Sequence, residues 1–190
     1  SEAEKLAIIR RHVENEVPEA ITFLGNAYRD GAFGLKSEKK AVKLYKRAVE
    51  LGDVSAMLNL GYAYDHGEGV KMNEKKGRQL YRMAAARGDA KAQCNLATML
   101  RNEGSDESQR EAFEYFKLSA VQGFADAIYM VGYCYLDGTG TEVDLAEAKR
   151  WYRMAADRGH ATARFNLANM LFDEGSDESQ REAFEYFKLS

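Results

Sequence analysis

The chain has one proline in 190 residues, two cysteines, one tryptophan and three histidines. Each shortage closes something off. With Pro18 alone, the chain lacks the Pro-rich composition of linkers and disordered segments, and helices can run without interruption. Cys94 and Cys134 lie 40 residues apart, with no Cys-x-x-Cys and no histidine near them in sequence. A disulfide scaffold and a structural zinc site are therefore not expected, and a reducing, cytoplasmic compartment is. Lys and Arg number 27 against 30 Asp and Glu, a net charge of −3, so no basic surplus exists for nucleic acid. No run approaches the roughly 18 apolar residues that would span a membrane. The first residues, Ser-Glu-Ala-Glu-Lys, are too charged for a signal peptide. What the chain does hold is glycine, 16 of them against the single proline. That ratio points to many short helices, each closed by a glycine.

The glycines belong to a repeat. Ala20, Ala56, Ala92, Ala127 and Ala163 follow one another at intervals of 36, 36, 35 and 36 residues. Four residues after each comes Leu or Val, then a small residue: Leu24-Gly25, Leu60-Gly61, Leu96-Ala97, Val131-Gly132 and Leu167-Ala168. Tyr28, Tyr64, Leu100, Tyr135 and Leu171 stand three further on. These offsets share one face of a helix, designated helix A. A second helix, B, is expected to start at a capping side chain: Ser37, Asn73, Ser108, Asp144 and Ser179. Ser108, Asp144 and Ser179 stand at capping-box spacing from Glu111, Glu147 and Glu182. Tyr45, Tyr81, Tyr115, Tyr152 and Tyr186 are assigned to its buried face at one register, and Gly52, Gly88, Gly123 and Gly159 end it. Pro18 opens the first helix A. Residues 2–16 read as a leading helix in the place of a preceding helix B, and no segment alternates with the period of a strand.

The spacing predicts an all-α chain of eleven helices: a leader (1–19) and pairs at 20–55, 56–91, 92–126, 127–162 and 163–190. Stacked pairs of this length form a right-handed α-solenoid with a concave groove, in one domain. Ser190 stands where Ser119 does, so the last helix B reads as cut short, leaving Phe184, Phe187 and Leu189 facing solvent or a further repeat.

The pattern Ala-x-x-x-Leu-Gly-x-x-Tyr-x-x-Gly-x-Gly-Val, clearest at 56–70, followed by Trp151-Tyr-Arg-Met-Ala-Ala-Asp-Arg-Gly159, resembles the Sel1-like repeat, a relative of the tetratricopeptide repeat. The resemblance covers residues 20–190. Repeats three and five depart from it, replacing Gly-x-Gly with Glu-Gly-Ser-Asp-Glu-Ser. It implies an adaptor or scaffold that binds protein. The paired cysteines of secreted members are absent here.

Residues 92–119 and 163–190 are near-copies, identical at 23 of 28 positions, including the 17 residues Glu-Gly-Ser-Asp-Glu-Ser-Gln-Arg-Glu-Ala-Phe-Glu-Tyr-Phe-Lys-Leu-Ser. Four of the five differences (Cys94/Phe165, Thr98/Asn169, Arg101/Phe172 and Asn102/Asp173) share one face of helix A; the fifth is Gln93/Arg164. Two readings stand: a recognition face retuned between copies, or a recent duplication. Across all repeats this face carries Thr22, Asn26 and Arg29; Asn59 and Tyr62; Asn95, Thr98 and Arg101; Tyr129 and Tyr133; then Phe165, Asn166, Asn169 and Phe172. Aromatic rings offer rigid contact area and Asn amides can hold a peptide backbone, which suits a protein or peptide ligand. The same asparagines and aromatics can instead join neighbouring repeats.

Chemistry is not expected. His12, His66 and His160 share no register and read as solvated surface groups. Gly67-Glu-Gly69 and Gly138-Thr-Gly140 follow no strand and read as turns, with no phosphate or cofactor site. Three functions remain in order: a binding module without turnover; a spacer that assembles end to end through its last helix; and a hydrolase using Cys94.

Overall fold

Eleven α-helices, one 3₁₀ turn and no strand make up the regular structure of residues 1–188, the part of the chain described by a computed structural model. A leading helix, α1 (Glu2–Glu14), precedes five pairs. The A helices are α2 (Pro18–Asp30), α4 (Val54–His66), α6 (Ala90–Glu103), α8 (Ala125–Asp137) and α10 (Ala161–Asp173). Their B partners are α3 (Glu38–Glu50), α5 (Glu74–Ala85), α7 (Asp106–Val121), α9 (Leu145–Asp157) and α11 (Asp177–Lys188). The chain divides into two compact units, one running to Ala92 and one from Gln93 onward. Leu189, expected to face solvent or a further repeat, and Ser190 lie outside the described residues.

In repeats two to five the repeating alanines, Ala56, Ala92, Ala127 and Ala163, are fully buried, while Ala20 of the first repeat is half-buried. Beside them Gly25, Gly61 and Gly132 receive a ring of the facing B helix. A methyl group on these glycines would lie 2.6 Å from Tyr45, 2.8 Å from Tyr81 and 2.8 Å from Tyr152. Repeats three and five carry Ala97 and Ala168 instead, and here the structure corrects the expected register. Phe116 occupies the Tyr45 position and is fully buried, while Tyr115 is half-buried. In repeat five Phe187, rather than Tyr186, stands at that register. In these two repeats the tyrosine stands one residue before the position four after Ala112 or Ala183, and phenylalanine takes that position. Glycine thus pairs with tyrosine, and alanine with phenylalanine. The hydroxyl has a use: Tyr45 donates to Asn26 Oδ1 at 2.8 Å.

Three expected caps hold. Ser37, Asn73 and Asp144 accept from the first-turn amides of α3, α5 and α9. Glu147 completes no capping box, because its carboxylate binds Arg150 and Trp151. Ser108 and Ser179 are not caps. α7 begins earlier, capped by Ser105, and Ser108, 6 % exposed, donates back to the Ser105 carbonyl. Ser176 likewise accepts from the Ser179 amide. Two serines three apart offer two possible starts, and the helix takes the earlier one. Each B helix of repeats one to four ends as expected; at Gly159 φ is +87° and the following amide, His160, reaches back to the Ala155 carbonyl.

Neighbouring repeats are joined in two ways. In repeats two and four the second glycine of Gly-x-Gly lies against the backbone of the preceding B helix. A methyl group on Gly69 would sit 2.4 Å from the Glu38 carbonyl carbon, and one on Gly140 would sit 2.2 Å from the Gln109 oxygen. Repeat five has no such glycine. Its Glu174 instead pairs with Lys149 of α9, and Glu182 pairs with Arg153 at 2.6 Å.

Candidate functional site

The A-helix residues divide into those that join repeats and those left open. In the first unit, Asn59 donates to Asn26 Oδ1 at 3.0 Å and accepts from Arg29 at 3.3 Å. Arg29 also pairs with Asp30, which raises the guanidinium pKa and lowers that of the carboxyl. Asn26, Arg29 and Asn59 are thus a seam between repeats one and two. Thr22 belongs inside as well, 4 % exposed and donating to Asp53, the cap of α4. Tyr62 is open, stacked on exposed His66 with ring centroids 4.0 Å apart. Phe23 was absent from the expected face yet is 51 % exposed. Its signal was its place at the Asn59 register.

The second unit is more open. In repeat three Cys94 is buried, Asn95 is half-buried, and the Thr98 hydroxyl turns onto its own helix to donate to the Cys94 carbonyl at 3.0 Å. The Arg101 guanidinium lies 5.7 Å above the Tyr133 ring. Tyr133 donates its hydroxyl to Asp137, and that bond raises the phenol pKa. Tyr129 is less free: it stacks between Tyr152 and His160, at 5.6 and 4.5 Å, and so packs α8 against α9 and the residue that begins α10. His160 is not a solvated surface group. Its Nδ1 accepts from the Ala163 amide at 3.1 Å and caps α10, the role that Asp53 fills for α4. Asn166 meets the hydroxyl of Tyr152, whose pKa burial pushes upward.

Repeat five exposes, at Phe165, a register at which Thr22 and Cys94 are buried, and at Phe172 a register that is half-buried in Arg101. Phe165, in the place of Cys94, is 52 % exposed, and Phe172, in the place of Arg101, is 45 % exposed. Asn169 lies between them, also exposed. Each ring touches an aromatic of α11 edge-on: Phe165 with Phe187, and Phe172 with Phe184. Phe165, Asn169 and Phe172 thus form an open strip along α10, while Tyr133 of α8 is half-buried under the Arg101 guanidinium.

Nucleophilic chemistry finds no support. Burial, with a smaller contribution from Asp126, pushes the Cys94 thiol up to about 12, and Cys134 is raised to about 12 in the same way. Both are free and buried. In the folded chain at pH 8 they should react with a thiol-specific disulfide reagent about 10³-fold more slowly than in the unfolded chain, since the thiolate is the reacting form. Equal rates would show that the thiols are not sequestered. Among the described residues no three His, Cys, Asp or Glu side chains gather as metal ligands. No helix among them is long and apolar enough to cross a membrane.

Tandem antiparallel helix pairs, with small residues at the crossing and no strand, define an all-helical solenoid of the tetratricopeptide-like class. The Sel1 repeat model matches residues 18–53, 54–89, 90–124, 125–160 and 161–190, and the chain belongs to the Sel1 repeat family. The chain is 36 % identical over 88 residues to chitin synthase regulatory factor 2 of Schizosaccharomyces pombe, a match spanning 42 % of this chain and 17 % of that protein. It is 44 % identical over 62 residues to the chitin synthase regulator SKT5 of Malassezia restricta, spanning 32 % of this chain and 4 % of the regulator. The chain thus spans less than a fifth of either relative. A solved Sel1 repeat protein from Oxalobacter formigenes is similar over 92 % of this chain and 73 % of its own, with 27 % identity and a TM-score of 0.80.

Proposed function

We propose that this Sel1 repeat chain is a protein-binding module that holds a polypeptide on the open A-helix strip of its second unit. Tyr133, Phe165 and Phe172 would supply apolar contact, and Asn169 would supply an amide for the ligand backbone. One observation carries the reading. Phe165 and Phe172 are half exposed, while Leu167, Ala168 and Leu171 between them are 0–2 % exposed. Large apolar side chains kept in water beside a closed core gain little for folding, and such patches mark binding surfaces. The repeat-five face differs from its near-copy at these positions while the core between them is the same, which fits a face adjusted for a ligand. Asn95, Asn166, Thr98 and Arg101 would frame the strip, whereas Tyr129, Asn26, Arg29 and Asn59 serve the frame itself. Tyr62 would offer a smaller contact in the first unit.

The module works by burial and hydrogen bonding, without turnover. The names of the two fungal relatives, both regulators, fit a part that recruits rather than reacts. Two buried free thiols suit a reducing, cytoplasmic setting.

A peptide library displayed on phage and selected against the full chain tests the proposal. Enriched peptides should lose at least about tenfold in affinity for a Tyr133→Ala, Phe165→Ser variant. Peptides that bind this variant as tightly as the parent chain would refute the strip.

A further inference from the structure

The same 17 residues serve twice in the second unit, at 103–119 and at 174–190, and among the described residues their burial differs most at Phe113 and Phe184, with smaller differences at Ser108/Ser179, Phe116/Phe187 and Lys117/Lys188. Ala112 and Ala183, which face their own A helices, are both fully buried. Phe113 is 6 % exposed, lying edge-on to Tyr135 of α8 with centroids 5.2 Å apart. Its counterpart Phe184 is 55 % exposed. Because the sequences are identical, the difference is the helix that covers one copy and not the other. The α7 copy also receives Gly140 against the Gln109 carbonyl, whereas Gln180 is at the equivalent position of α11.

The B-helix residue at this position varies with the class of repeat that follows it. Val42 and Phe113 precede repeats two and four, whose A helices bring a tyrosine (Tyr64 or Tyr135) and a Gly-x-Gly loop. Val42 and Tyr64 share one buried cluster, and Lys46, four residues on, lies over the Tyr64 ring. Arg78 and Lys149 stand at the same position ahead of repeats three and five, with Arg82 and Arg153 four residues later. Those repeats bring a leucine in place of the tyrosine, no second glycine, and a pair of glutamates. In the fourth and fifth repeats the pairing is direct: Lys149 with Glu174 and Arg153 with Glu182. Val42 and Phe113 thus accept a tyrosine-bearing helix, and Lys149 and Arg153 accept a glutamate-bearing one.

We infer that the outer face of α11, centred on Phe184, is a docking surface for a Sel1-type helix pair of the Gly-x-Gly class, one carrying tyrosine at the Tyr135 position. A helix pair of the repeat-five class is disfavoured there, because the glutamate that pairs with Lys149 in the fourth and fifth repeats would meet Phe184, although Lys188 still offers a cation at the Arg153 position. This surface adjoins the A-helix strip where Phe184 touches Phe172, but it does not depend on that strip binding a ligand.

The test extends the full chain. Ser190 stands where Ser119 does, so residues 120–160 can be repeated after it in register. A second extension carries the same linker, residues 120–124, followed by residues 161–190. Amide exchange is followed by NMR, with the identical α7 sequence as internal reference, since its intrinsic exchange rates are the same. The first extension should slow α11 exchange at least about tenfold, toward α7, and the second should not. Phe184→Lys with Lys188→Arg should reverse that preference. Equal protection by both extensions, or by neither, would overturn the proposal. So would concentration-dependent protection of α11 in the unextended chain, which would give the face to a second copy.

Discussion

Gly140→Ala should destabilise the chain by roughly 2–5 kcal/mol, combining left-handed strain with overpacking. At φ +71° the added methyl group meets the Gln109 carbonyl oxygen at 2.2 Å, its carbon at 2.6 Å and the Arg110 nitrogen at 3.0 Å. All three are backbone atoms in the first turn of α7, and none can rotate aside as a side chain would. Gly104 separates the two contributions. It has φ +76° with nothing within 4 Å of the same methyl group, so Gly104→Ala should cost only about 1 kcal/mol. Urea denaturation of the two variants side by side measures the difference. Similar midpoints would mean that the second glycine is only a turn residue and does not lock neighbouring repeats.

The second large effect sets frame against face along one helix. Leu167→Ala should cost about 2–5 kcal/mol, because Leu167 is fully buried in α10 and its loss leaves a cavity. Phe165→Ser, two residues away and 52 % exposed, should stay within about 1 kcal/mol of the parent, losing little beyond the edge contact with Phe187. Calorimetry on both variants reads the contrast directly. A Phe165→Ser variant as unstable as Leu167→Ala would make the exposed ring a packing residue and remove it from the strip.

Much of this frame was legible because a repeat shows its own rules several times over. Ala56, Gly61 and Gly159 mark core, crossing and helix end by position alone, and the structure places them so. The errors came where one repeat broke period. In repeat three Tyr115 stands one residue before the core register, which Phe116 takes, and the doubled serines hid Ser105 behind Ser108. The site was harder to read for a different reason. An asparagine at one register can hold a ligand or a neighbour, and only the positions of Asn26 and Arg29 commit Asn59 to the seam. Tyr129 was equally ambiguous until His160, at the far end of the same repeat, proved to stack on it. Phe165 and Phe172 stood out because the chain carries a near-copy without them. The open strip was thus read from a difference rather than from a motif.

The most direct test of the binding proposal is NMR shift mapping of the full chain with a library-selected peptide. Perturbations should concentrate at Tyr133 on α8 and at Phe165, Asn169 and Phe172 on α10, and vanish with Phe165→Ser. Perturbations confined to the exposed faces of the B helices, with Tyr133 and the α10 strip unmoved, would contradict it.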